Sequence, residues 1–335
     1  MGNASATKPL GIAVLREMRP DMRTGVVRRA IAVALFAAAA NVCAVQAQSF
    51  EQSLQWCHGK GQPTADQTIA GCSTVITSGR LSGKDLNVAY INRGIAYHTK
   101  REYDRAIQDY DEVIRLDPKY AAAFNDRGIA HRAKGQYDRA IQDYDEAIRL
   151  DPKYAAAFND RGNAYRLKGQ YDRAIQDYDE AIRLNPNYAL AFHNRGYVYG
   201  AKDQYDRAIQ DYDEAIRLDP EYALAFADRG STYRLKGQYD RALQDYDEAI
   251  RLNPSNALWL GTRGFTCLKL KRYDQAIADY DAALKIDPKR AFTLFSRGVA
   301  KRARGDTTGG DADIAAAKAI DANIAAEAAK FDIVP

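Results

Sequence analysis

GQYDRAIQDYDEAIRL fills residues 135–150 and returns letter for letter at 169–184. Residues 203–218 change its first letter, 237–252 replace one Ile with Leu, and looser copies stand at 101–116 and 271–286. Successive copies begin 34 residues apart. A fixed period of this length marks stacked supersecondary units, because one such unit cannot bury its apolar side alone. The spacing inside the copy is helical. Ala140, Tyr144 and Ala147 recur at steps of four and three, which places them on one face.

A second stripe precedes each copy. Gly94, Gly128, Gly162, Gly196, Gly230, Gly264 and Gly298 mark seven units. Four residues before each marker stands a large apolar side chain, from Tyr90 and Phe124 to Leu260 and Leu294. Three after it stands Tyr97, Tyr165, Tyr199 or Tyr233, replaced elsewhere by His131, Cys267 and Lys301. These offsets put aromatic, glycine and aromatic on one face of a first helix, with Gly and Ala on facing stripes permitting close approach while Phe and Tyr fill the gaps between turns. Gly135, Gly169, Gly237 and Gly305 stand where the first helix should stop. Asp-Pro or Asn-Pro pairs, from Asp117-Pro118 to Asp287-Pro288, end the second helix. Their Asp or Asn is expected to cap the next helix, with Pro at its first position.

In these features the chain resembles the tetratricopeptide repeat (TPR) family, over about residues 87–320. The resemblance implies an all-α fold, a right-handed α-solenoid of antiparallel helix pairs. One departure is regular: Arg93, Arg127, Arg161, Arg195, Arg229, Arg263 and Arg297 precede the markers where the family often has Leu. Each is expected either to pair with an acid of the second helix, such as Asp109, Asp143 or Asp177, or to be solvated. The last unit is degenerate, with Gly309-Gly310 in place of the expected Ala and Ala322 in place of the Pro. Ile314, Ala317, Ile320, Ile324 and Ala328 keep a helical pattern, so residues 321–335 are read as a C-terminal capping helix and tail. Residues 48–86 are read as an N-terminal helical cap of two short helices, about 49–57 and 64–78.

The resemblance also places a binding wall on the first helices, at six and three residues before the marker and one and four after it. Within this chain those positions drift while the second helices stay nearly identical. The candidates three before are Ile91, Asn125, Asn159, His193 and Phe295, with Phe292 six before. One after stand Asn163, Tyr197 and Phe265; four after stand Arg132, Arg166, Arg234 and Leu268. Arg and aromatic residues dominate many interfaces, so a peptide-binding groove is the expectation, polar in the middle and apolar towards the carboxyl end. Drift on an unused solvent face is the alternative. The chaperone-binding subtype of the family is disfavoured: Asn163 and Asn194 match its carboxylate clamp, but Leu224 and Asp228 stand where Lys and Arg belong.

The amino terminus reads as a targeting segment. Arg28-Arg29 precede an apolar run from Ala30 to Ala40, then Val45-Gln46-Ala47 supplies small residues three apart. This is the pattern of a secretory signal over residues 1–47, with Met1, Met18 or Met22 as the start. The apolar run falls short of the roughly 20 residues that span a bilayer. The formal net charge is +4, and residues 1–47 carry that whole surplus, so the remainder is neutral and gives no case for nucleic-acid binding. Export predicts an oxidising compartment, where Cys57 and Cys72 would form a disulfide; two buried thiols are the alternative.

Nothing in the sequence suggests catalysis, a cofactor or a metal. The repeated Asp-Tyr-Asp-Glu run sits among Arg and Lys at helical spacing, the signature of an ion-paired surface. The four His are dispersed, and no phosphate-binding glycine loop or nucleophile constellation occurs. The sequence thus predicts a non-enzymatic scaffold binding a protein or peptide partner, periplasmic or secreted. A binder of cell-envelope polysaccharide and a self-assembling structural protein are the alternatives.

Overall fold

The computed structural model describes residues 49–334; the expected signal over 1–47, with Cys43, lies outside them. The described residues form helices and turns, with no strand. The chain divides into two compact units, one ending at Glu112 and one beginning at Val113.

The first unit holds α1 (49–57), α2 (Ala65–Thr77), α3 (Gly83–Thr99) and most of α4 (Tyr103–Leu116). A capping box opens α2: Gln67 N donates to Thr64 Oγ1 at 3.3 Å, and Thr64 N donates to Gln67 Oε1 at 2.9 Å. A Cys57–Cys72 disulfide ties α1 to α2, with Cα atoms 4.6 Å apart. Val75 and Ala89 pack round the bridge, with Phe50 and Leu54 at the edge. Asn92 Nδ2 donates to the Cys57 carbonyl at 2.9 Å, which docks α3 on this cap.

The second unit is an α-solenoid of helix pairs. These are α5 (Ala121–Ala133) with α6 (Tyr137–Leu150), α7 (Ala155–Leu167) with α8 (Tyr171–Leu184), and α9 (Ala189–Ala201) with α10 (Tyr205–Leu218). Then come α11 (Ala223–Leu235) with α12 (Tyr239–Leu252), α13 (Ala257–Lys269) with α14 (Tyr273–Ile286), α15 (Ala291–Arg304) with α16 (Thr307–Ile320), and a short α17 (Ile324–Ala329). The second helices bury the expected stripe, Ala140, Tyr144 and Ala147 being fully covered in α6. The marker glycine is required by close approach. A Cβ on Gly162 would lie 2.7 Å from the Tyr178 ring.

The first helices divide their small and aromatic residues. Their fully buried face is made of small residues, Ala157 and Ala164 in α7 and Ala191 and Val198 in α9, while Phe158 and Tyr165 are only half-buried. The aromatic residues fill the flanks of a seam whose floor is alanine. The turn between paired helices follows the glycine reading: Gly135, Gly169 and Gly237 have φ of 74°, 72° and 72°. Where glycine is missing, Arg101, Asp203 and Lys271 take the same left-handed conformation at 62°, 58° and 57°.

The link between pairs corrects the capping expectation. Asp151 is the C-cap of α6, and α7 starts only at Ala155. Pro152 therefore sits inside a turn and not at the first position of a helix. The reason is that the Asp151 side chain is already used: Oδ1 accepts from Lys153 N at 3.0 Å, and the carbonyl accepts from Tyr154 N at 3.1 Å. Asn185 builds the same turn with Asn187 and Tyr188.

The arginine before each marker is ion-paired. Arg161 donates from Nε and a terminal nitrogen to Asp177 of α8 at 2.9 and 2.7 Å, and from the other to Asp145 of α6 at 2.6 Å. Arg195, Arg229, Arg263 and Arg297 repeat this bridge between the second helices of consecutive pairs. In the first unit Arg93 holds Asp109 and takes Ser73 as its other acceptor. Burial raises the Asp177 pKa above the ordinary carboxylate range, opposed by its bonds to Arg161.

Candidate functional site

The second-helix surface is a poor place to look for a ligand. Its exposed residues recur unit after unit and are already paired, as Arg149 with Glu146 and Arg183 with Glu180. A cavity of about 500 Å³ opens there beside Cys267, where a small side chain replaces the usual tyrosine. Its charged lining is saturated, since Arg263 holds Asp247 and Asp279 and Arg272 holds Asp240. Burial pushes the Cys267 thiol up to about 11, away from nucleophilic use.

The first helices of the second unit carry the variable positions, and the structure sorts these into two zones. From α5 to α11 a polar ladder joins consecutive first helices. Asn125 Nδ2 donates to Asp160 at 3.3 Å, Asn194 Nδ2 donates to Asn159 Oδ1 at 2.8 Å, and His193 Nε2 meets Asp228 Oδ2 at 2.8 Å. Each rung links the residue three before one marker to the residue two before the next. Position minus three is therefore a seam: Asn125, Asn159 and His193 are buried. Asn163 is buried too, accepting from the Tyr178 hydroxyl at 3.1 Å.

This zone is acidic beneath its surface. Burial, and then repulsion from Asp160, pushes the Asp126 carboxyl up to about 7. Burial raises Asp160 as well. Tyr154, Tyr188 and Tyr222, at the starts of α7, α9 and α11, are raised to about 12, chiefly by burial. Arg132 and Arg166 are half-buried, Arg166 lying over the Tyr197 ring at 5.1 Å. Tyr197 itself is exposed.

From α9 to α15 the wall turns apolar. Leu190, Leu224 and Leu258, each six before a marker, form a row of exposed side chains that leads to half-buried Phe292. At its end lies a cavity of about 200 Å³, lined by Leu258, Phe265, Phe292 and Phe331 and flanked by Arg234 and Arg290. Arg234 stacks over Phe265 at 5.3 Å. The Nε atoms of Arg234 and Arg290 are buried without a hydrogen-bond acceptor among the described residues.

The thirteen sequence candidates thus divide. Phe265 and Phe295 are buried in the core of the last pairs, as are the seam residues in theirs, while Arg132, Arg166, Arg234, Leu268 and Phe292 are half-buried and Tyr197 exposed. Ile91 is half-buried in the first unit. Missed were Asp126 and Asp160, the leucine row, Arg290 and Phe331. The leucines occupy wall positions and could have been found by their period; Phe331 lies in no repeat and carries no such signal. Among the described residues no helix is long and apolar enough to cross a membrane.

Comparison with known families matches this geometry. Models described as tetratricopeptide repeat match residues 88–120, 109–142, 189–222, 223–256 and 257–290, and one described as TPR repeat matches 128–166 and 162–203. A comparison with curated proteins gave no match. Among solved structures, the APC/C hetero-tetramer Cut9–Hcn1 superposes with a TM-score of 0.59 at 17% identity, over 80% of this chain and 52% of that one. The pilF protein of Pseudomonas aeruginosa gives 0.55 at 20%, over 60% and 92%. MamA is 28% identical over 48% of this chain and 94% of its own, with a TM-score of 0.43.

Proposed function

The chain belongs to the tetratricopeptide repeat family, and from that premise we propose that it is a non-enzymatic scaffold which holds a peptide segment of a partner protein along the first-helix wall. One observation carries this reading. The second-helix surfaces are repeated and saturated with ion pairs, whereas the first-helix wall exposes Leu190, Leu224 and Leu258 in a row that ends at an arginine-flanked aromatic cavity. Exposed apolar rows are uncommon on surfaces without a partner. Leu190, Leu224 and Leu258 are 41%, 42% and 55% exposed, so covering each is worth about half of a full leucine, and the three together contribute about 2–4 kcal/mol to a complex. Of the thirteen candidates, Tyr197, Arg166, Arg234, Leu268 and Phe292 are the ones left accessible for contact; the seam residues set the spacing of the helices behind them.

We place the protein in the periplasm or outside the cell. The signal pattern of residues 1–47 supports this, as does the Cys57–Cys72 bridge, which suits an oxidising compartment.

The test is in-cell crosslinking from a photoreactive residue at position 197 or 258 of the full chain, with position 180 on the second-helix face as control. A partner protein captured from the wall and not from position 180 is the expected result. Identical captures from both faces overturn the wall assignment. Capture of envelope glycan alone, or of a second copy alone, replaces this function with the polysaccharide or self-assembly alternative.

A further inference from the structure

We propose that the segment from α17 to Val334 is an internal ligand of the wall's apolar end. The partner segment taken up there would share its chemistry: a short helix ending in an aromatic, then an acidic, then an aliphatic residue. This rests on the wall being the binding surface.

The segment does more than close the last pair. Ile324 and Ala328 of α17 join a cluster with Phe265, Phe295 and Ile314. The helix stops in a paired turn: Ile333 N donates to the Ala328 carbonyl at 3.1 Å and Asp332 N to the Ala329 carbonyl at 3.0 Å, with Asp332 left-handed at φ 55°. That turn drives Ile333 into the cluster, where it is buried. It also swings Phe331 onto the wall. The Phe331 ring meets Phe292 of α15 at 5.8 Å and Phe265 of α13 at 6.3 Å, edge-on to both at 87° and 86°. Asp332 reaches Lys269 Nζ at 3.2 Å. Phe331 thus crosses α15 to touch α13, a reach that covering the final pair does not require.

Ile324, Ala328 and Ile333 anchor the segment in the core, so the exchangeable part is Phe331 with Asp332. Phe331 is half exposed and forms one side of the cavity whose remaining lining includes Leu258 and Arg290. The Asp332 carboxylate is almost wholly exposed, so its ion pair adds little. Burial of Ile324, Ala328 and Ile333 keeps the segment in place, and this tether holds Phe331 at a local concentration in the millimolar range against any competitor. A partner presenting an aromatic residue followed by an acidic one would displace Phe331 from the cavity beside Arg234 and Arg290.

The probe is a fluorescein-labelled peptide of residues 323–334, NIAAEAAKFDIV, titrated by anisotropy into the full-length chain and into its Phe331→Ala variant. The variant is expected to bind at least about tenfold more tightly, because the internal competitor has lost its anchor. Adding Phe265→Ala to that variant should abolish binding, as should Ala in place of Phe within the peptide. A second variant, Asp332→Lys, changes an exposed residue and should shift affinity in the same direction by a smaller factor. Equal affinity for the original and both variants overturns the proposal, and so does absence of binding to a Phe331→Ala chain that melts cooperatively. If the peptide fails while position 197 or 258 still crosslinks a partner, the internal ligand is refuted and the wall assignment stands.

Discussion

Replacing Arg161 by Leu tests the reasoning about the repeated ion pairs. The guanidinium makes two hydrogen bonds to Asp177 and one to Asp145, and lies 5.5 Å over the Phe158 ring. Side-chain exposures are 20% for Arg161, 7% for Asp177 and 52% for Asp145, which decides the weights. Breaking a buried pair from one side costs about 3–5 kcal/mol, because the surviving charge stays buried. Arg161 is partly solvated, so the lower end applies, about 3 kcal/mol. The exposed Asp145 contact adds at most about 0.5 kcal/mol. A double variant, Arg161→Leu with Asp177→Leu, removes both charges and should recover most of the loss, to within about 1 kcal/mol of the original. The assay is urea unfolding followed by circular dichroism at 25 °C, comparing midpoints at constant slope. The pH dependence has a definite sign. Burial already raises the Asp177 pKa, and losing Arg161 raises it further, so the single variant's deficit shrinks as pH falls and Asp177 takes up a proton. A single variant within about 1 kcal/mol of the original, or a double variant no better than the single, would refute the account.

Asp126→Asn should stabilise the protein by about 2–4 kcal/mol at pH 8 and leave it unchanged at pH 4. The carboxyl titrates near 7 in the folded state, so its contribution is full below the ordinary carboxylate value and is lost as pH rises towards 7; melting curves at the two pH values decide. Lys271→Gly should raise stability by about 1 kcal/mol, because residue 271 sits at φ 57°, a conformation that favours glycine; a lowered melting temperature would count against this. Reducing Cys57–Cys72 should cost the first unit about 3 kcal/mol for a loop of this length, read as earlier thermal unfolding with reductant and no effect of reductant on a Cys57→Ala, Cys72→Ala chain.

The period of 34, the Ala and Tyr stripe of the second helix and the stop glycines were legible from residues alone, because each is a local requirement repeated many times. A glycine against the Tyr178 ring or in a left-handed turn has no substitute without strain, so it recurs and can be read. The arginine before each marker was legible as an anomaly, but its two carboxylates lie 16 residues away on either side, in different helices. Only the stacking of one pair on the next brings Asp145 and Asp177 to the same guanidinium.

What the sequence determined by itself was the unit: its helices, their apolar faces and their number, since these follow from spacing along one chain. Tertiary structure decided which variable residues meet solvent. Asn125, Asn159 and His193 stand at a register position expected to line the wall, yet they fall in the seam where successive first helices touch, and hydrogen bonding across it takes them out of reach. Phe331 belongs to no repeat and is brought to Phe265 and Phe292 only by the turn that ends α17. Both outcomes depend on distances between segments far apart in the chain, which packing sets and local spacing does not.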